Sequence, residues 1–75
     1  MHEQGKSIGR NDEAVTDYNE SLRLRPEHAP TYYNRASAYR KMGNTDRAID
    51  DYRKALQIDP AMELARTRLR ELGAI

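Results

Sequence analysis

Seventy-five residues allow one small domain, whose core is marginal unless its helices pack closely. Thirteen basic residues against 12 acidic leave a net charge of +1, a balance that argues against a nucleic-acid arm or a polybasic membrane patch. The lack of cysteine rules out a disulfide framework and thiolate chemistry. No apolar run approaches the length of a membrane span, and the opening MHEQGKSIGR has no apolar signal stretch. These features describe a water-soluble domain suited to the cytoplasm.

In chain order, Met1 to Gly9 holds two glycines and only Met1 and Ile8 as large apolar residues, too little for an ordinary helix. The first predicted helix runs from about Asn11 to Leu24. PEHAP (26–30) is a turn, and Pro30 suits the first turn of the next helix, where a missing N–H costs nothing. There Tyr32, Ala36 and Tyr39 recur at i, i+4 and i+7 and share a face. Met42-Gly43-Asn44 is the hinge: Gly43 can adopt the left-handed conformation that ends a helix. Asn44 or Thr45 caps the next helix, and Asp46 suits the positive end of its dipole. That helix carries Ala48, Ile49, Tyr52, Ala55 and Leu56 and stops at Asp59-Pro60. A last helix is expected from about Ala61 to Leu72, with Leu64 or Ala65, Leu69 and Leu72 as its apolar stripe and Gly73 as its end.

Setting GRNDEAVTDYNESLRLRP above GNTDRAIDDYRKALQIDP aligns Gly9 with Gly43, Asp12 with Asp46 and Ala14 with Ala48. The same offset of 34 positions aligns Asp17 with Asp51, Tyr18 with Tyr52, Leu22 with Leu56 and Pro26 with Pro60. Self-similarity at a fixed period marks a repeat architecture. Moreover Tyr32, Ala36, Tyr39, Gly43, Ala48, Tyr52, Ala55 and Pro60 follow the tetratricopeptide signature, and residues 29–62 resemble one complete tetratricopeptide repeat (TPR). Tyr32 stands where that family usually has Trp, Ala36 where it has Gly, and Arg35 where it has Leu. Arg35 is expected to lay its stem on apolar surface and keep its head in water.

The resemblance implies an all-α helix-turn-helix array of about one and a half repeats plus a C-terminal capping helix. Residues 1–28 are then a partial first repeat, 29–62 a complete repeat and 63–75 the cap. Carried backwards, the register puts Met1 at the family's Leu position and Gly5 at that of a large aromatic. The leading helix of the first repeat is therefore either truncated or damaged. The tyrosines are read as core, with Ala36, Ala48 and Ala55 letting the helices approach closely.

No catalytic constellation is visible. His2 and His28 lie in a tail and a turn without metal-ligand spacing. Asp50 and Asp51 diverge by about 100° on a helix, while Asp50 and Lys54 have the spacing of an ordinary surface pair. No enzyme activity, cofactor or metal is expected. The resemblance implies instead a non-catalytic adaptor or scaffold that binds a protein or peptide along a groove. In register, that groove is lined by Tyr33, Asn34, Ser37, Arg40 and Lys41, and by Leu64, Thr67, Arg68 and Glu71. Polar residues with several cations suit a segment carrying carboxylates.

The stretch YYNRASAY is similar to the second repeat of carboxylate-clamp TPR domains, which grip the acidic C-termini of heat-shock chaperones. By that likeness Asn34 takes the place of the clamp Asn and Arg68 that of the clamp Arg. Leu64 stands where a Lys is needed, and the helix bearing the remaining clamp residues is missing or broken. An acidic C-terminal tail is thus one partner to expect, and neither nucleic acid nor membrane is. The second function class is self-association. Val15, Tyr18 and Leu22 lie on the helix whose partner is lacking, and a homodimer would cover them and complete the first repeat. The same face equally suits a piece of a longer array.

Overall fold

The computed structural model describes residues 2–75, with side chains from Asn11 onward. Four helices follow one another: α1 (His2–Leu24), α2 (Ala29–Lys41), α3 (Thr45–Ile58) and α4 (Glu63–Glu71). Each lies against its neighbour in sequence, and α2 with α3 is the tightest pair. The result is a slab of 41 × 30 × 15 Å, in which, among the described residues, α2 and α3 are each packed against a helix on two sides.

Local chemistry sets the turns. Gly43 has φ +84°; its N–H bonds the Arg40 carbonyl at 3.0 Å, and the Asn44 N–H reaches back to Tyr39 at 2.8 Å. This pair of bonds satisfies carbonyls that a helix end leaves free. Gly73 repeats the device at φ +75°, with Gly73 to Arg70 at 3.1 Å and Ala74 to Leu69 at 2.9 Å. Asn44 then caps α3, its Oδ1 accepting the Arg47 N–H at 3.3 Å. A Cβ at position 43 would meet nothing within 4 Å, so Gly43→Ala carries only the left-handed backbone cost. It should destabilise by about 1–2 kcal/mol, read as a lower urea midpoint at unchanged slope; an unchanged midpoint would overturn this.

The core is built from small residues around one large one. Ala36, Ala48, Ala55, Ala65 and Tyr52 are completely buried, with Leu69 beside them. Alanines at facing positions bring the backbones close, and Tyr52 fills the space between α2 and α3. Val15, Tyr32, Tyr33, Ile49, Leu56 and Leu72 pack around this centre.

Two expectations are corrected. First, α1 starts at His2 and passes through Gly5 and Gly9 rather than beginning near Asn11. A helical glycine costs only about 1 kcal/mol, so Gly5 and Gly9 weaken the helix without ending it. Met1, assigned in register to a leucine position, lies outside the described residues, as does the side chain of His2. Of the two alternatives for the α4 stripe, Ala65 rather than Leu64 enters the core: Leu64 is 58% exposed.

Second, the Arg35 head is not left in water. Its Nε and Nη2 donate to the two Asp51 carboxylate oxygens at 2.7 and 2.8 Å, and Nη1 donates to Asn19 Oδ1 at 2.7 Å. The guanidinium also lies 5.5 and 5.8 Å from the ring centroids of Tyr32 and Tyr39. One side chain thus joins α1, α2 and α3. The hydrogen bond to Asp51, opposed by desolvation, raises the Arg35 pKa above its ordinary value, so the guanidinium is charged at any working pH. Lys54, expected beside Asp50, has its ammonium 6.0 Å from the Tyr32 ring centroid, and no Asp50–Lys54 ion pair forms among the described residues.

Candidate functional site

One face of α2 and the facing side of α4 enclose an open cleft of about 400 Å³, lined by Ser37, Arg40, Lys41, Tyr52 and Arg68. Helical spacing explains the α2 contribution: Ser37, Arg40 and Lys41 are at i, i+3 and i+4. Arg68 arrives from α4, whose approach is fixed by burial of Ala65 and Leu69 on the stripe that Arg68 flanks. The floor is hydroxylic. Tyr52 Oη and Ser37 Oγ are 3.0 Å apart, and the Tyr33 ring meets Tyr52 edge to face at 5.4 Å.

The cations are held with unequal firmness. Arg68 Nε donates to Tyr33 Oη at 3.3 Å, and its Nη1 donates to both Glu71 oxygens at 3.0 and 2.9 Å. Arg40 Nη1 reaches the same carboxylate from α2 at 3.5 Å. The hydrogen bond to Tyr33, then that to Glu71, raises the Arg68 pKa. Lys41 is exposed and has no carboxylate partner among the described residues. Three cations therefore line the cleft, with one carboxylate, Glu71, bound to two of them, an excess of positive charge beside the Ser37 hydroxyl.

Of the residues assigned in register, Ser37, Arg40, Lys41 and Arg68 meet around this cleft, and Tyr33 borders it by holding Arg68. Asn34 is exposed on α2 and is not among the lining residues. Leu64 points to solvent. Tyr52 was read as core only; it is core, yet its hydroxyl meets Ser37 Oγ beneath the cleft, a contact that the apolar stripe gave no sign of. Among the self-association candidates, Leu22 is only 8% exposed, Val15 packs on the core and Tyr18 is half-buried. The expected uncovered face is thus largely covered within the chain, because α2 lies against that side of α1.

A second cleft, on the other side of α2 and α3, is lined by Arg35, Tyr39, Arg47, Asp50 and Asp51. Its two cations equal its two carboxylates in number, and Arg35 is already paired with Asp51. In the turn before α2, His28 Nδ1 and Thr31 Oγ1 are 2.7 Å apart, an engagement that fixes the helix entry. Among the described residues no helix is long and apolar enough to cross a membrane.

Comparison with known families agrees with this architecture. A tetratricopeptide repeat model matches residues 29–62, and a TPR repeat model matches residues 6–43, joining α1 to α2. No curated protein matched the chain. Domains of this kind generally mediate protein–protein interaction and are typically non-catalytic. The chain, four helices packed in sequence order with the signature residues at its centre, belongs to the tetratricopeptide repeat family.

Proposed function

We propose that the α2–α4 cleft binds a peptide or protein segment bearing carboxylates, and that the chain serves as a non-catalytic adaptor. The observation that carries this reading is the convergence of Arg40, Lys41 and Arg68 from two helices on one hydroxyl-floored cleft. Charge-assisted hydrogen bonds from arginine to carboxylate are about twice as strong as neutral ones, and two helices fix their spacing. Ser37, its hydroxyl backed by Tyr52 Oη, supplies a further hydrogen-bonding group for a ligand oxygen. With Asn34 outside the lining and Leu64 in the place of a lysine, a full carboxylate clamp is not what this cleft offers. An acidic segment engaging Arg40, Lys41 and Arg68 is.

The test is calorimetric titration with a short peptide rich in Asp and Glu, with its C-terminus free or amidated. Arg68→Ala and Arg40→Ala should each weaken binding by about tenfold or more, with Lys41→Ala weaker in effect because its ammonium is exposed. Affinity should fall as salt rises. A larger loss on amidation than on removing one internal carboxylate would identify the chain terminus as the anchor. Binding that ignores both arginines would reject the cleft as the site.

A further inference from the structure

We infer that Glu71 is a built-in competitor for this cleft: its carboxylate occupies the place of a ligand carboxylate and sets how strongly the cleft takes an acidic partner. The inference rests on the reading of the cleft as a carboxylate site. It goes further by naming the residue of the chain that opposes binding.

The geometry points there directly. Glu71 receives two hydrogen bonds from Arg68 Nη1 and a longer one from Arg40 Nη1, so one carboxylate spans the gap between α4 and α2. Those arginines are two of the three cations that face the cleft. An incoming carboxylate must either displace Glu71 or bind beside a like charge. Displacement is open to it, since the Glu71 side chain is 44% exposed and sits on the last turn of α4, next to solvent.

Nor is Glu71 placed to stabilise the helix that bears it. An acidic residue in a last turn faces the negative end of the helix dipole, where Arg68 and Arg70 are the favourable charges. Its pair with Arg68 is a surface i, i+3 contact, a kind that adds little to stability. The main electrostatic effect of Glu71 falls on the cleft, where it cancels about one charge of three.

The test compares wild type with Glu71→Gln, which keeps an oxygen acceptor for Arg68 and removes the charge. Each is titrated with a peptide ending in consecutive aspartates, at low and at moderate salt. Glu71→Gln should bind about five- to tenfold more tightly, with the gain shrinking as salt rises, and its urea midpoint should stay close to wild type. A second readout uses no ligand: nitrogen-15 NMR of the arginine side chains should show Arg68 turning more freely in Glu71→Gln. If wild type binds and Glu71→Gln binds equally or less tightly, Glu71 merely orients Arg68 and the inference is overturned, while the cleft reading stands. If Glu71→Gln alone binds, both hold. If neither binds, both fall.

Discussion

Tyr52→Ala is expected to unfold the protein at room temperature, seen as loss of most of its far-ultraviolet helical signal and of a cooperative urea transition. Tyr52 is completely buried, stacks edge to face on Tyr33 at 5.4 Å and bonds Ser37 at 3.0 Å. Truncating a buried aromatic costs about 3–5 kcal/mol, and the lost ring pair adds about 0.5–1.5 kcal/mol. A chain of this length holds only about 4–11 kcal/mol in total. The alanines lining the site cannot collapse to refill the space, because they have no side-chain length to extend. Tyr52→Phe separates packing from the hydroxyl: it keeps the ring, should cost only about 1 kcal/mol, and should remain folded. A Tyr52→Ala variant with a cooperative transition within about 1 kcal/mol of wild type would show that the aromatic is not the centre of the core.

The second large effect concerns Arg35 and Asp51. Leucine is the usual family residue at position 35, yet Arg35→Leu should destabilise by about 3 kcal/mol, because it leaves the Asp51 carboxylate buried without its counter-ion. Asp51 is 5% exposed, and both its oxygens are taken by Arg35. Asp51→Ala should cost about as much for the converse reason. The double variant Arg35→Leu/Asp51→Ala should recover most of the loss, since removing both partners also removes both desolvation costs. Measured as a double-mutant cycle, the coupling should exceed about 1 kcal/mol; additive losses would mean the two side chains do not act as a pair. Since pairing raises the Arg35 pKa, the arginine side of this contribution is complete below its unfolded pKa and is lost only in strong alkali. Across the neutral range it should be flat with pH. Arg35 also holds Asn19, so Arg35→Leu should additionally speed amide exchange in the Asn19 turn of α1.

These two sites differ in how far they could be read from the residues alone. Tyr52 sits on a stripe with Ala48, Ile49, Ala55 and Leu56, and that periodicity is enough to put it inside. Gly43 and Gly73 end helices because a residue without Cβ tolerates positive φ, whatever lies around it. Asn44 caps α3 through a bond that spans three residues. Such signals act within about one helical turn, so the order of helices, the hinge and the repeat period are legible in the chain itself.

Other features wait on how the helices dock. The Arg35–Asp51 bond joins residues 16 apart, and the Arg40–Glu71 bond residues 31 apart; no local pattern specifies either. Whether Leu64 or Ala65 turns inward depends on the angle at which α4 meets α3. Leu22 looked uncovered because its family partner was sought before α1, whereas the cover comes from α2. Gly5 and Gly9 share a residue type with Gly43 yet lie within a helix, because a glycine permits a turn without requiring one. Local chemistry therefore decides where this chain can bend, and tertiary packing decides where it does and which charges meet across the cleft. The physical reason is range: dihedral preferences and caps act between adjacent turns, while burial and ion pairing act between surfaces that exist only after the helices have come together.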